Sequence, residues 1–136
     1  MRRARRWLCA ALTAASLPAL AADAGGNYAI WGAGGRSCHQ FDVAAANPAE
    51  VAAFRDFLMG YLTAFNTLAP ETYDALGGQP LEGALEWLRD YCDQHQMDSF
   101  ERALGQLLLA RHDERSRVPP GSGRRGWIRP GAAASE

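Results

Sequence analysis

This chain predicts an all-α domain of four helices, and three observations carry that prediction. Apolar residues recur at three- and four-residue spacing through most of the sequence between residues 37 and 110, the repeat that lines one face of an α-helix. Each periodic stretch begins on a helix-start signal, namely Ser37, Asn47-Pro48, Pro80 or Asp98, residue types that cap or open helices. No run alternates with a strand's period for more than a few residues.

Met1 to Ala21 reads as a secretory signal peptide. Arg2, Arg3, Arg5 and Arg6 form its basic region, Trp7 to Leu17 its apolar core, and Ala19-Leu20-Ala21 its small-x-small cleavage site after Pro18. The apolar run is shorter than the ~20 residues that cross a bilayer, which argues against a membrane anchor. Cys9 follows Trp7-Leu8 rather than the small residues that precede a lipidated cysteine. The expected location is therefore periplasmic or secreted. Residues 22–36 are glycine-rich, lack periodicity and read as a flexible leader. Gly32 to Gly35 has neither a preceding strand nor a following Lys-Ser/Thr, so it is not read as a phosphate loop. Tyr28, Ile30 and Trp31 read either as a segment lying across a groove or as an exposed sticky stretch.

The helical domain is expected over residues 37–110. Ser37 and Gln40 make a capping box for a short first helix to Ala46, with Cys38, Phe41 and Ala45 on one face. The longest helix runs from Asn47 to Leu68. Asn47 is its cap, Pro48 suits its first position, and Glu50 is placed to reach back to the cap N–H. Phe57 and Met59 widen its stripe, so it is expected at the centre of the domain. Residues 69–80 are dense in breakers: Pro70, Gly77-Gly78 and Pro80 exclude a continuous helix. A third helix spans Leu81 to His95. Its Gly83 costs up to ~1 kcal/mol relative to alanine, a cost ascribed to close approach of a neighbour. Asp98, with Glu101, is expected to cap a fourth helix bearing Phe100, Leu104, Leu107 and Leu108. The expected core is Leu58, Tyr61, Leu62, Phe65, Leu85, Leu88, Leu104 and Leu107. Residues 111–136, rich in arginine, proline and glycine, are expected to be a disordered tail.

Signal cleavage leaves two cysteines, Cys38 and Cys92, which an oxidising compartment should pair. An ordered core of about 75 residues is small enough for such a staple to matter. The competing reading is a metal site built from Cys38-His39 and from Cys92 and His95, one helical turn apart. Adjacent residues 38 and 39 cannot easily aim at one ion, so the disulfide is preferred and neither metal nor cofactor is expected.

Charge narrows the partners. There is no lysine, and from Arg36 to Ala110 four arginines face eleven acids, a net of −7, while six arginines sit in the tail. A nucleic-acid binder should concentrate positive charge on its folded part, so nucleic acid is excluded as a partner. His39, His95 and His112 are the acid–base candidates at neutral pH, and none lies in a nucleophile motif. There is no C-x-x-C-H or H-E-x-x-H motif. The expectation is a non-enzymatic protein.

A secreted, single-disulfide, four-helix domain resembles the periplasmic acid-stress chaperones of the HdeA/HdeB type. The resemblance covers Ser37 to about Leu109. It rests on Ser37-Cys38, on Phe57-Leu58-Met59-Gly60-Tyr61-Leu62, and on Trp87-Leu88-Arg89-Asp90-Tyr91-Cys92 ahead of Asp98-Ser99-Phe100. The chain is also similar to Tai-type immunity proteins, which neutralise secreted antibacterial effectors. The first resemblance implies binding of unfolding protein clients in acid. At pH 2, ten arginines, three histidines and the amino terminus bring the formal charge of the exported chain from −5 toward +14. Repulsion would then loosen the packing and offer the Phe54-Leu58-Tyr61 stripe to clients. The second resemblance implies a folded binder of one effector, with Tyr73 and Asp74 in the 69–80 loop at the interface. Both imply protein partners and leave a homodimer open.

Overall fold

The computed structural model describes residues 22–23 and 25–122. The expected signal peptide and residues 123–136 of the tail lie outside the described residues. Four α-helices follow in order: α1 Cys38–Ala44, α2 Pro48–Leu68, α3 Leu81–Gln94 and α4 Phe100–Ala110. A 3-10 turn over Gly32–Gly35 precedes them and another over His112–Glu114 follows. The fold is all-α among the described residues. None of these helices is long and apolar enough to cross a membrane.

Local chemistry places most helix starts where the spacing predicts them. The Ser37 hydroxyl accepts from the Gln40 N–H while the Gln40 side chain accepts from the Ser37 N–H, a complete capping box. Asn47 caps α2 by accepting from the Ala49 N–H at 3.0 Å. Glu50 accepts from the Asn47 side-chain amide, not from its backbone N–H as expected, because that N–H donates to the Ala44 carbonyl. The cap of α4 is Ser99 rather than Asp98: its hydroxyl accepts from the Arg102 N–H at 3.1 Å. Asp98 instead accepts from the Tyr91 hydroxyl at 2.7 Å and pairs with Arg102 at 3.5 Å. Two adjacent residues that both cap well cannot be ranked by composition, and the tertiary demand of Tyr91 decides between them.

The centre of the domain is α1, not α2. Cys38, Phe41 and Ala44 of α1 are wholly buried, and α1 packs on α2, α3 and α4. Ala44, rather than Ala45, completes that face. Cys38 and Cys92 are joined by a disulfide, with Cα atoms 4.8 Å apart. Backbone bonds reinforce the junction: the Cys38 N–H donates to Asp98 at 2.8 Å, His39 to Gln96 at 3.0 Å and Phe100 to Arg36 at 2.8 Å. Phe100 meets Phe41 at 4.8 Å and Phe54 at 4.9 Å between ring centroids. Aromatic rings at these separations attract beyond their buried area.

On α2 only Phe54, Leu58 and Leu62 are buried. Tyr61 and Phe65, expected in the core, are half-buried, while Leu85, Leu88, Leu104 and Leu107 are buried as expected. The second side of the wide α2 stripe is covered by the leader rather than by a helix. Ala33 and Gly34 are buried there, and a Cβ at Gly34 would run into the Phe57 ring. The leader's glycines thus serve close approach, and packing extends upstream of residue 37.

It also extends past residue 110. The Ser116 carbonyl accepts from the Tyr73 and Asp74 N–H groups, and the Ser116 N–H donates to Asp74 at 2.9 Å. Gly77, at φ 64°, lies so close to the Glu114 carbonyl that a side chain would collide with it. The first part of the expected disordered tail is therefore built into the fold, and the loop after α2 is its docking site.

Gly83 corrects a second expectation, since nothing lies within 4 Å of a Cβ built there. No neighbour requires that glycine. Gly83→Ala should raise stability by roughly 0.5–1 kcal/mol, read as a higher urea midpoint at unchanged slope. A loss instead would show a neighbour that this geometry lacks.

Candidate protein-binding surfaces

The residues predicted to meet a partner fall into three settings. Phe54 and Leu58 are wholly buried. They sit at the α2 positions that face the Phe41–Phe100 cluster, so they reach another protein only if α2 lifts away. Tyr61 lies on the next stripe and points its hydroxyl to Glu101 of α4 at 3.2 Å. Burial pushes that hydroxyl up to about 12, and the charge and hydrogen bond of Glu101 add to the effect. Tyr73 is exposed.

Asp74, expected to face a partner, is half-buried and shapes its own turn. Its carboxylate accepts from the Leu76 N–H at 3.0 Å and the Gly78 N–H at 2.7 Å. That holds a turn whose Ala75 and Leu76 are buried, and Asn66 of α2 accepts from the Ala75 N–H at 2.8 Å. An aspartate before a Gly-Gly pair is a turn-former by chemistry, since its short carboxylate reaches backbone N–H groups two residues on.

The histidines have structural partners. His39 Nδ1 donates to the Gln96 side-chain oxygen at 2.8 Å, and Gln96 in turn donates to Asp42 at 2.9 Å. His95 Nδ1 donates to the Tyr91 carbonyl at 2.8 Å, and its ring stacks on Tyr91 at 4.1 Å. Both sulfurs of the competing metal set are in the disulfide. Among the described residues no three His, Cys, Asp or Glu side chains gather as metal ligands.

The ties between helices differ in kind. α1 is joined to α3 covalently. α2 is held to α3 and α4 by apolar packing and by two side-chain hydrogen bonds, both ending on a carboxylate. Arg55 pairs with Glu82 at 2.9 Å, and Tyr61 donates to Glu101. The leader uses the same acceptor, with the Tyr28 hydroxyl donating to Glu101 at 3.0 Å. Sequence reasoning missed Glu82 and Glu101 as ties between elements, and named Tyr28 only within a segment that either lies across a groove or stands exposed. Glu82 reads as an early-turn acid on a solvated face and Glu101 as the partner of Asp98 in a capping box, and their actual partners lie 27 and 40 residues away in the chain.

Glu82 is held below its ordinary value of 4.5, first by its own backbone N–H and then by Arg55. A depressed carboxylate stabilises the fold above its unfolded value, and that contribution is lost as pH falls through its folded value. Asp42 behaves oppositely. Burial and then the nearby Asp93 push it up, partly offset by His39 and Arg89. Its destabilising charge disappears as pH falls, so acid relieves the α1–α3 side.

No protein-family model, curated protein or solved structure matches this chain.

Proposed function

We propose that the protein is an exported stress protein that binds unfolding clients when acid loosens α2. One observation carries this reading: both side-chain ties from α2 to α3 and α4 end on carboxylates, while α1 and α3 share a disulfide that acid leaves intact. At pH 2 carboxylates are protonated, and Glu82 loses its ion pair with Arg55. The arginines stay charged while the carboxylates that offset them are neutralised, so the domain gains net positive charge. Lifting α2 uncovers Phe54, Leu58 and Leu62 together with the faces of Phe41 and Phe100 against which Phe54 packs. The disulfide keeps the remainder compact. The chemistry needs apolar surface, not catalysis, so no cofactor enters.

The test is a titration from pH 7 to pH 2 with a hydrophobic dye and an aggregating client protein. Dye binding should rise and client scattering should fall together below about pH 4, the range in which carboxylates protonate. A domain that binds no dye at pH 2 and leaves scattering unchanged overturns the reading. Tyr73 favours a second one, a folded binder that blocks a single effector. It is an exposed aromatic on a loop pinned by Ser116. Capture of one tight partner at pH 7, lost on Tyr73→Ala, would support it.

A further inference from the structure

The leader covers one face of α2 but is fastened firmly to the helices at only one end. There the Arg36 carbonyl accepts from the Phe100 N–H at 2.8 Å, and the Arg36 guanidinium sits 4.7 Å from the centre of the Phe54 ring. Upstream of Arg36 the grip is weaker. Among the described residues no backbone hydrogen bond joins residues 22–35 to a helix. Asp23 keeps its carboxylate within the leader, accepting from the Gly25 and Asn27 N–H groups at 2.8 Å each. The remaining attachments are the seating of Ala33 and Gly34 and the bond from Tyr28, a residue 60% exposed, to Glu101. The segment after α4 is held differently, since Ser116 shares three backbone bonds with Tyr73 and Asp74. A segment with few buried contacts and no backbone pairing opens at a lower free energy than the whole domain.

The face beneath the leader is apolar. The Phe57 ring occupies the space where a Gly34 side chain would be. Phe57, Tyr61 and Leu68 wall a depression of about 550 Å³ together with Tyr28, Ile30 and Trp31. Positions 57, 61 and 68 lie on one side of α2. Leu68, at the far end of that stripe, is already 80% exposed. Lifting the leader joins Phe57 and Tyr61 to it in one apolar strip, a grouping of the kind that marks interaction sites. The core does not pass through the leader, because the rings of Phe41, Phe54 and Phe100 pack on one another.

We propose that residues 28–35 are an autoinhibitory strap, hinged at Arg36, that swings off the Phe57–Tyr61 face of α2 while the four helices and the disulfide stay in place. For what the uncovered face does, binding unfolding clients, the proposal rests on the function proposed above; for the opening itself it does not. The test uses the full chain at pH 7 and hydroxyl-radical footprinting read by peptide mass spectrometry. Ala33 is 8% exposed, and a charge buried there is costly, so Ala33→Asp should favour the open strap. Labelling of Phe57 and Tyr61 should then rise about twofold or more, while Phe54 and Phe100 stay protected. Tyr28→Phe, which removes only the hydroxyl tie, should give the same pattern with a smaller rise. Gly35→Asp, at an exposed neighbour, adds the same charge and should leave labelling unchanged. Unchanged labelling of Phe57 in Ala33→Asp overturns the proposal, as does an equal rise in Gly35→Asp. Loss of protection at Phe54 and Phe100 in either Ala33→Asp or Tyr28→Phe also overturns it, because the leader would then be part of the core. Ala33→Asp should further suppress client scattering at pH 7, where the unmodified chain and Gly35→Asp do not. Suppression by the unmodified chain in acid, with none by the opened variant at pH 7, removes the strap's inhibitory role and keeps the function. Suppression by the opened variant alone keeps the strap and removes the acid trigger. Suppression by neither removes both.

Discussion

Removing the Cys38–Cys92 bond is expected to lower the stability of this domain by about 4 kcal/mol. The bond closes a loop of 54 residues. In the chain-entropy account, a loop of that length restricts the unfolded chain by about 4 kcal/mol. A domain of this size has a total stability on the order of 5–10 kcal/mol, so the loss is a large share of it. Three backbone bonds, from Cys38 to Asp98, His39 to Gln96 and Phe100 to Arg36, cross the same junction and survive reduction. They hold the folded junction in shape but do nothing to restrict the unfolded chain, so they do not replace the disulfide. The measurement is urea unfolding of the Cys38→Ala, Cys92→Ala double variant against the oxidised protein. The midpoint should fall by more than half, and the slope should rise as the unfolded chain expands. A loss below about 1 kcal/mol would show that the unfolded chain is already compact without the bond. The acid response should also change. Without the staple, α1 and α3 separate when α2 lifts, so the variant should unfold completely at pH 2.

Phe100→Ala is expected to cost about 3–5 kcal/mol, the range for truncating a fully buried phenylalanine. Phe100 is wholly buried and is the ring on which the domain converges. It packs on Phe41 of α1, Phe54 of α2 and, at 6.4 Å, Phe57. Its truncation leaves a hole between three helices, and α1 cannot move in to fill it because the disulfide fixes its start. Phe100→Leu keeps most of the volume and should cost about 1–2 kcal/mol. Thermal or urea unfolding of both variants separates the outcomes. A cost near that of Phe100→Leu for Phe100→Ala would mean that the neighbours collapse onto the gap, and that the cluster is softer than its geometry implies.

What the sequence could state about this protein was local. The helices, the caps at Ser37 and Asn47, and the apolar faces of α3 and α4 all arise between residues within about four positions of each other. The pairing of Cys38 with Cys92 was equally legible, because only two cysteines remain after the expected signal peptide. Tertiary structure decided which helix is central. α2 has the longest apolar stripe, yet the disulfide and the Phe41–Phe54–Phe100 cluster draw the core around seven-residue α1. It decided that Gly34 belongs to a contact with Phe57, while Gly83 touches no neighbour, since a missing Cβ says nothing about what fills its space. It gave Asp74 to a turn, Asp98 to Tyr91, and Glu101 to Tyr28 and Tyr61. Each of these carboxylates has a sequence-local role that is chemically sound. Which role prevails depends on a donor brought close only by folding, and for Tyr28 and Glu101 that donor lies 73 residues away along the chain.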